Sequence, residues 1–266
     1  MTRVIAVVNQ KGGVGKTTTS VNLAAALAQA GERVLLVDLD PQGNATMGSG
    51  VDKSKAARTV YHVLLGLADA ESVRLHCERG GFDLLPSNRE LAGAEIELVE
   101  LPNREQRLKR ALDSLDGRYA FVIVDCPPSL SLLTVNALTA AQQVIIPMQC
   151  EYYALEGLSH LVGTIKRVRA HLNPTLDIAG LLRTMYDPRS TLTQQVSQQL
   201  ESHFGDKVYR TLVPRNVRLA EAPSYGTPAV VWDPTSKGAQ AYAAFAAEIL
   251  ERERTVVEPH PVGERT

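Results

Sequence analysis

Residues 4–19 read VIAVVNQKGGVGKTTT: an apolar β-branched run, a glycine-rich turn and the opening of a helix. This order constrains the chain more than any other stretch. VIAVV shows no polar alternation, so both its faces are buried, as in a parallel sheet covered by helices. The run from Thr17 to Ala30 is rich in alanine and leucine and closes at Gly31, where a helix C-cap favours glycine. Between strand and helix, Gly12, Gly13 and Gly15 let the backbone turn its N–H groups inward, and the helix N-terminus adds positive potential. Such a loop holds phosphates. In that geometry Lys16 reaches the β- and γ-phosphates and the Thr17 hydroxyl takes a Mg2+ position. The common spelling is G-x-x-x-x-G-K-[ST]. Here Gln10 stands where the first glycine belongs, and a second lysine, Lys11, follows it. Lys16 already serves the loop's own nucleotide, so Lys11 is either a solvated surface charge or a cation with another target.

The rest of the chain repeats the alternation. Strands are predicted over 4–8, 33–38, 82–86, 121–125, 143–148, 178–186 and 207–213, mostly as continuous apolar runs. Helices are predicted over 17–30, over 155–172 with an amphipathic stripe, and over 236–254 behind a serine cap. This order defines an α/β fold: a doubly wound, mostly parallel sheet with helices on both faces, in one domain over 1–254. The end, 255–266, has two prolines and no apolar stripe and is predicted to be a disordered tail.

A phosphate loop needs carboxylates. LLVDLDPQGN places Asp38 and Asp40 just past the second strand, where α/β ligands bind, and FVIVD ends in Asp125. Asp40 is either a turn-forming residue before Pro41 or a group acting on the attacking water. Asp125 is either a helix cap before CPPS or a carboxylate that holds Mg2+. Cys77, Cys126 and Cys150 follow no metal or redox spacing, and an odd, unpatterned count suits a reducing cytoplasm. The N-terminal apolar run is too short for a signal peptide, and no run approaches the roughly 18 residues of a membrane span. Net charge is −1, so any basic patch must be local.

KGGVGKTT, LLVDLDPQGNAT, VIVDCPPSL, MYDPR and VPRNVRLAEAPSYG together resemble the ParA/MinD group of P-loop ATPases, whose phosphate loop is the deviant Walker A motif. Over roughly residues 1–250 the chain is similar to the small, Soj-like chromosome-partitioning members. The resemblance implies that Lys11, Gly12, Gly13, Val14, Gly15, Lys16, Thr17 and Thr18 hold ATP, with Pro214 and Asn216 cupping the adenine. It makes Thr17 and Asp125 the Mg2+ residues, and Lys11, Lys16 and Asp40 the catalytic ones. Lys11 would cross a dimer interface to the partner's nucleotide, so that hydrolysis depends on dimerisation, as with an arginine finger. Gly12 would lie where two backbones meet. Asp38 is left as a structural or supporting carboxylate.

The proline-broken end lacks the basic amphipathic helix of MinD-type proteins, so no membrane attachment is expected. The first strand begins at about residue 4, which leaves no room for the N-terminal helix-turn-helix region of larger plasmid ParA proteins. Nonspecific double-stranded DNA binding, and a nucleoid-associated location in the cytoplasm, remain as the expectation. Between 160 and 220 there are nine Lys/Arg and four Asp/Glu, a local excess of five. Arg189 and Arg218 match the DNA-contacting arginines of Soj-like proteins, though Arg218 could instead support the nucleotide segment. Lys166, Arg167 and Arg169 read equally as a solvated helix face. The implied whole is an ATP-dependent homodimer that partitions a chromosome or plasmid with a ParB-type, DNA-bound partner stimulating hydrolysis. The alternatives are a ParA-like switch positioning another cargo, such as a chemoreceptor cluster or polysaccharide synthase, and a dethiobiotin-synthetase-like ligase.

Overall fold

The computed structural model describes residues 2–152 and 154–257. Eight strands are present among them: β1 (Arg3–Val7), β2 (Val34–Asp38), β3 (Leu75–Cys77), β4 (Phe82–Leu85), β5 (Phe121–Asp125), β6 (Gln143–Gln149), β7 (Asp177–Tyr186) and β8 (Val208–Pro214). They form one sheet in the order β3-β4-β2-β5-β1-β6-β7-β8. Every pair is parallel except β3–β4. The seven expected strands all form, each within a residue of its expected ends. The eighth, β3, was not expected. It is three residues long, carries no apolar run, and exists only because it pairs antiparallel with β4 at the sheet edge.

Alternate residues of the central strands feed two cores. Val4, Ala6, Leu35, Val37, Val122 and Val124 pack against helices that include Leu132–Ala140 and Ala154–His171. Ile5, Val7, Leu36, Ile123 and Ile145 face the helices Lys16–Gln29 and Lys237–Val257. Burial on both sides is what makes these strands continuous apolar runs.

The helix Lys237–Val257 runs three residues past the expected end of the domain at 254, and residues 258–266 of the expected tail lie outside the described residues. This last helix packs across the first. The Tyr242 and Thr19 hydroxyls are 2.9 Å apart, and Tyr242 is 1% exposed. Nearby, Val230 N–H donates to Asn22 Oδ1 at 3.1 Å, and Arg3 Nε donates to Glu253 at 2.8 Å. The two ends of the chain thus close one layer.

Candidate functional site

β1 ends in the middle of the sheet, between β5 and β6, and the loop from Asn9 to Gly15 leaves from its C-terminal end. Gly13 and Gly15 have φ of +75° and +87°, a region that favours glycine. Gly15 is the N-cap of the helix Lys16–Gln29, whose leading N–H groups face the loop. Thr184 Oγ1 donates to Val14 O at 2.8 Å and fixes the loop against β7. Lys16 is 7% exposed, and its Nζ donates to Lys11 O at 3.1 Å, so the ammonium lies inside the loop. Burial lowers its pKa; the nearby carboxylates of Asp125 and Asp40 oppose that.

The carboxylates meet this lysine from the strand ends. Asp38 and Asp125 are register partners on β2 and β5, and both are fully buried. Asp125 accepts from Thr17 Oγ1 and from Ser20 Oγ, each at 2.8 Å. Thr17 Oγ1 and Asp125 Oδ2 are thus in direct contact, and the hydroxyl and carboxylate are oxygen donors of the kind that could hold Mg2+, directly or through water. Asp38 Oδ2 accepts from the Thr46 N–H and from Thr46 Oγ1, both at 2.7 Å, and Oδ1 from the Asp40 N–H at 3.2 Å. Burial raises the pKa of both acids, and the Asp38 charge raises Asp125 further. Two acids facing each other without solvent favour a shared proton or a cation.

Asp40 lies closer to the surface, at 9% exposed. Its Oδ1 accepts from the Gln42 N–H at 2.9 Å, which is the turn-forming role; its other carboxylate oxygen accepts no hydrogen bond among the described residues. Both expectations for Asp40 are thus compatible with its place.

Lys11 does not join Lys16. Its ammonium forms an ion pair with Glu151, just past β6, and half of its side chain is exposed. A Cβ at Gly12 would meet nothing within 4 Å, so packing inside this chain does not demand that glycine. Exposed Leu130 and Tyr152 belong to the loops after β5 and β6, at the same end of the sheet. Pro214 ends β8, and Asn216 caps the helix Val217–Glu221 by accepting from the Arg218 N–H at 2.9 Å.

The basic segment reads differently in three dimensions. Arg183 is 5% exposed and is bound to Ser197, Glu201 and the Tyr209 carbonyl, so it is a core residue. Lys207 and Arg169 pair with Asp177, and Arg210 with Glu251. Arg189 makes a two-pronged bond to Asp187 at 2.9 and 3.0 Å. Arg218 contacts Glu221 at 2.9 Å and Asp233 at 3.2 Å, with its guanidinium 5.6 Å from the centre of the Trp232 ring. Part of the excess of five is therefore cancelled by acids beyond residue 220, which a window on the sequence does not see. Arg189 and Arg218 still follow neighbouring strands, whose ends are joined by the Tyr186–Pro214 register pair.

Ser20, Thr46, Ser87 and Glu151 were not singled out from the sequence. Ser20 was detectable, since it lies one helical turn beyond Lys16 and so on the same face. Thr46 and Ser87 meet Asp38 and Asp40 only through the fold: Ser87 N–H donates to Thr46 Oγ1, and Ser87 Oγ to the Asp40 carbonyl, both at 2.8 Å. All three cysteines are buried; burial pushes Cys77 up to about 12, Cys150 to about 11 and Cys126 well above its ordinary range.

A central strand, a glycine loop gripping a buried lysine, and strand-end carboxylates facing a threonine define a P-loop nucleotide-binding protein. The AAA domain family matches residues 2–178. The sporulation initiation inhibitor protein Soj of Bacillus subtilis is 54% identical over 249 residues, 94% of this chain and 98% of that protein. The chromosome partitioning protein ParA of Caulobacter vibrioides is 51% identical over 254 residues, 95% of each chain. Among solved structures, one titled cobyrinic acid a,c-diamide synthase from Mycobacterium smegmatis with bound ADP and magnesium has a TM-score of 0.85 at 43% identity. It covers 96% of this chain and 97% of that one. The chain belongs to the ParA/Soj family of P-loop ATPases.

Proposed function

We propose that the protein binds Mg-ATP, closes into a dimer around it, binds DNA without sequence preference and hydrolyses ATP to drive partitioning with a ParB-type partner. The observation that carries this reading is the division of labour between two lysines. Lys16 is buried in its own loop, whereas the Lys11 side chain is half exposed and pairs, among the described residues, with a half-exposed carboxylate. A lysine so placed is free to exchange Glu151 for a phosphate of a second subunit. Gly12, where a Cβ would meet no described residue within 4 Å, leaves space for the approach.

ATP would place its phosphates on the N–H groups of residues 12–18, with Lys16 on the β- and γ-phosphates and Pro214 and Asn216 beside the base. Thr17 and Asp125 would hold Mg2+, which would neutralise charge on the phosphates. Asp40 would orient the attacking water or take its proton. Lys11 from the partner would add the cation that stabilises charge in the transition state, so turnover awaits dimerisation. Arg189 and Arg218 would exchange Asp187, Glu221 and Asp233 for DNA phosphates.

The name of the Mycobacterium structure favours a second reading, an amide-forming synthase. ATP and magnesium serve both. Amide transfer from glutamine uses an accessible thiolate, and the three buried cysteines with raised pKa do not supply one. The test is ATP turnover measured alone, with duplex DNA, and with DNA plus a ParB-type partner. Stepwise stimulation is expected; turnover that answers only to a small-molecule acid and an amine donor would replace partitioning with the synthase reading.

A further inference from the structure

The carboxylates of the metal site and the arginine at the basic face are joined by a short chain of contacts that contains no flexible side chain at its narrowest point. Asp38, register partner of Asp125, holds the short helix Asn44–Gly48 through Thr46. Two residues past that helix, Gly50 meets Gly226. A Cβ on Gly50 would lie 2.7 Å from Gly226 O, and a Cβ on Gly226 would lie 2.8 Å from Gly50 Cα. Both glycines have positive φ, +87° and +56°. Backbone thus rests on backbone, where neither side can yield by changing a rotamer.

Gly226 closes the turn Ala222–Tyr225, and that turn leads to the basic face. The Tyr225 ring stacks on Trp232 with centroids 4.5 Å apart and planes 22° apart. Trp232 in turn lies beside the Arg218 guanidinium. Arg79 pins the turn from the other side, donating to Tyr225 O and Thr227 Oγ1 at 3.0 Å. On the loop side, a cavity of about 280 Å3 separates Thr17 and Thr18 from Met47, Leu219 and Pro223. The short helix therefore has a cavity on its phosphate-loop side, while its far end rests on Gly226 and presses on it in any motion toward that turn.

We infer that Gly50 and Gly226 are positioning residues of a relay: metal and nucleotide bound at Asp125 and Thr17 move the Asn44–Gly50 segment, and the glycine contact passes that movement to Trp232 and Arg218. The relay rests on the ATPase reading above and adds to it the route from the metal site to the basic face. Its basis is a steric contact between one element hydrogen-bonded to Asp38 and another stacked on Trp232, so that a displacement of either biases the other.

Trp232 is the sole tryptophan of the chain, so its emission reports the far end of the relay without any DNA present. Saturating Mg-ATP is expected to shift the emission of the wild-type protein. Gly226→Ala is expected to bind Mg-ATP by calorimetry within about threefold of wild type, yet to lose that shift. Tyr225→Ala, a change at a half-exposed ring that leaves the glycine contact and fold in place, should lose the shift too. Both variants should also bind a duplex equally in ATP and ADP. Heat of binding without a Trp232 response in the wild-type protein would overturn the relay alone. So would a full response retained in Tyr225→Ala, or in a folded Gly226→Ala. No heat with Mg-ATP in the wild-type protein would overturn the ATPase reading and the relay with it.

Discussion

Asp38→Asn in metal-free protein isolates the cost of burying this carboxyl. Burial pushes Asp38 up to about 6, against about 3.9 for an unfolded aspartate. The shift of about two units corresponds to about 3 kcal/mol at full burial. The sign follows from proton counts. As pH rises past about 4 the unfolded chain gives up this proton first, while the folded chain keeps it until about pH 6. Folding is therefore favoured at low pH, and the contribution is lost as pH rises through the folded pKa. Between about pH 4.5 and 8 the wild-type protein should lose about 2 kcal/mol relative to Asp38→Asn, which has no such proton. The comparison with the variant matters because Glu248 and Asp177, whose pKa values are lowered in the fold, act in the opposite direction in both proteins. Asn at this position also faces the Asp40 N–H with its own amide, a fixed cost of about 1–3 kcal/mol that does not vary with pH. The assay is urea unfolding in chelator at several pH values, repeated with Mg2+ and ATP. Saturating metal should flatten the wild-type curve by replacing the proton. A difference between the two proteins that stays constant with pH would refute the reasoning, because it would mean that Asp38 titrates as it does in the unfolded chain.

Lys16→Ala should lose tight ATP binding, since the cation inside the loop is gone; calorimetry showing retained micromolar affinity would refute the loop assignment. Asp40→Ala should still bind ATP and dimerise while turnover collapses, read by light scattering and phosphate release; wild-type turnover would remove Asp40 from the chemistry. Lys11→Ala should bind nucleotide as a monomer but dimerise and hydrolyse poorly, and normal dimerisation would end the shared-site reading. Arg218→Glu should weaken binding to every duplex alike and flatten the log K against log salt slope by about two units per dimer, at about −0.9 per phosphate contact. Unchanged DNA affinity would exclude Arg218, and lost ATP binding would make it a support for the nucleotide segment.

The strands and the phosphate loop were legible because their signals are local. An apolar run flanked by glycine or aspartate carries its own boundary, and Gly15-Lys16-Thr17 needs nothing from the rest of the chain to be read. What escaped the sequence was set by contact. β3 forms only against β4, and Thr46 matters only because β2 and β5 bring Asp38 beside Asp125. The partners of the basic segment are hidden for the same reason. Glu221, Asp233, Glu248 and Glu251 lie beyond residue 220, yet they pair with Arg218 and Arg210. The Lys11–Glu151 pair joins positions 140 residues apart. Motifs report chemistry, while the field around them is written by the fold.

The closure of the first helix by the last one has a consequence for how the protein is made. Tyr242 meets Thr19 across 223 residues, and Arg3 meets Glu253 across 250. A chain emerging from the ribosome at about 5–20 residues per second presents its phosphate loop well before the covering helix, on a helix whose outer apolar face is still bare. That face remains uncovered until residues 237–257 have left the exit tunnel. The nascent chain must therefore keep the helix Lys16–Gln29 uncovered until the helix Lys237–Val257 has been made. The phosphate loop is made long before the helix that buries its supporting face.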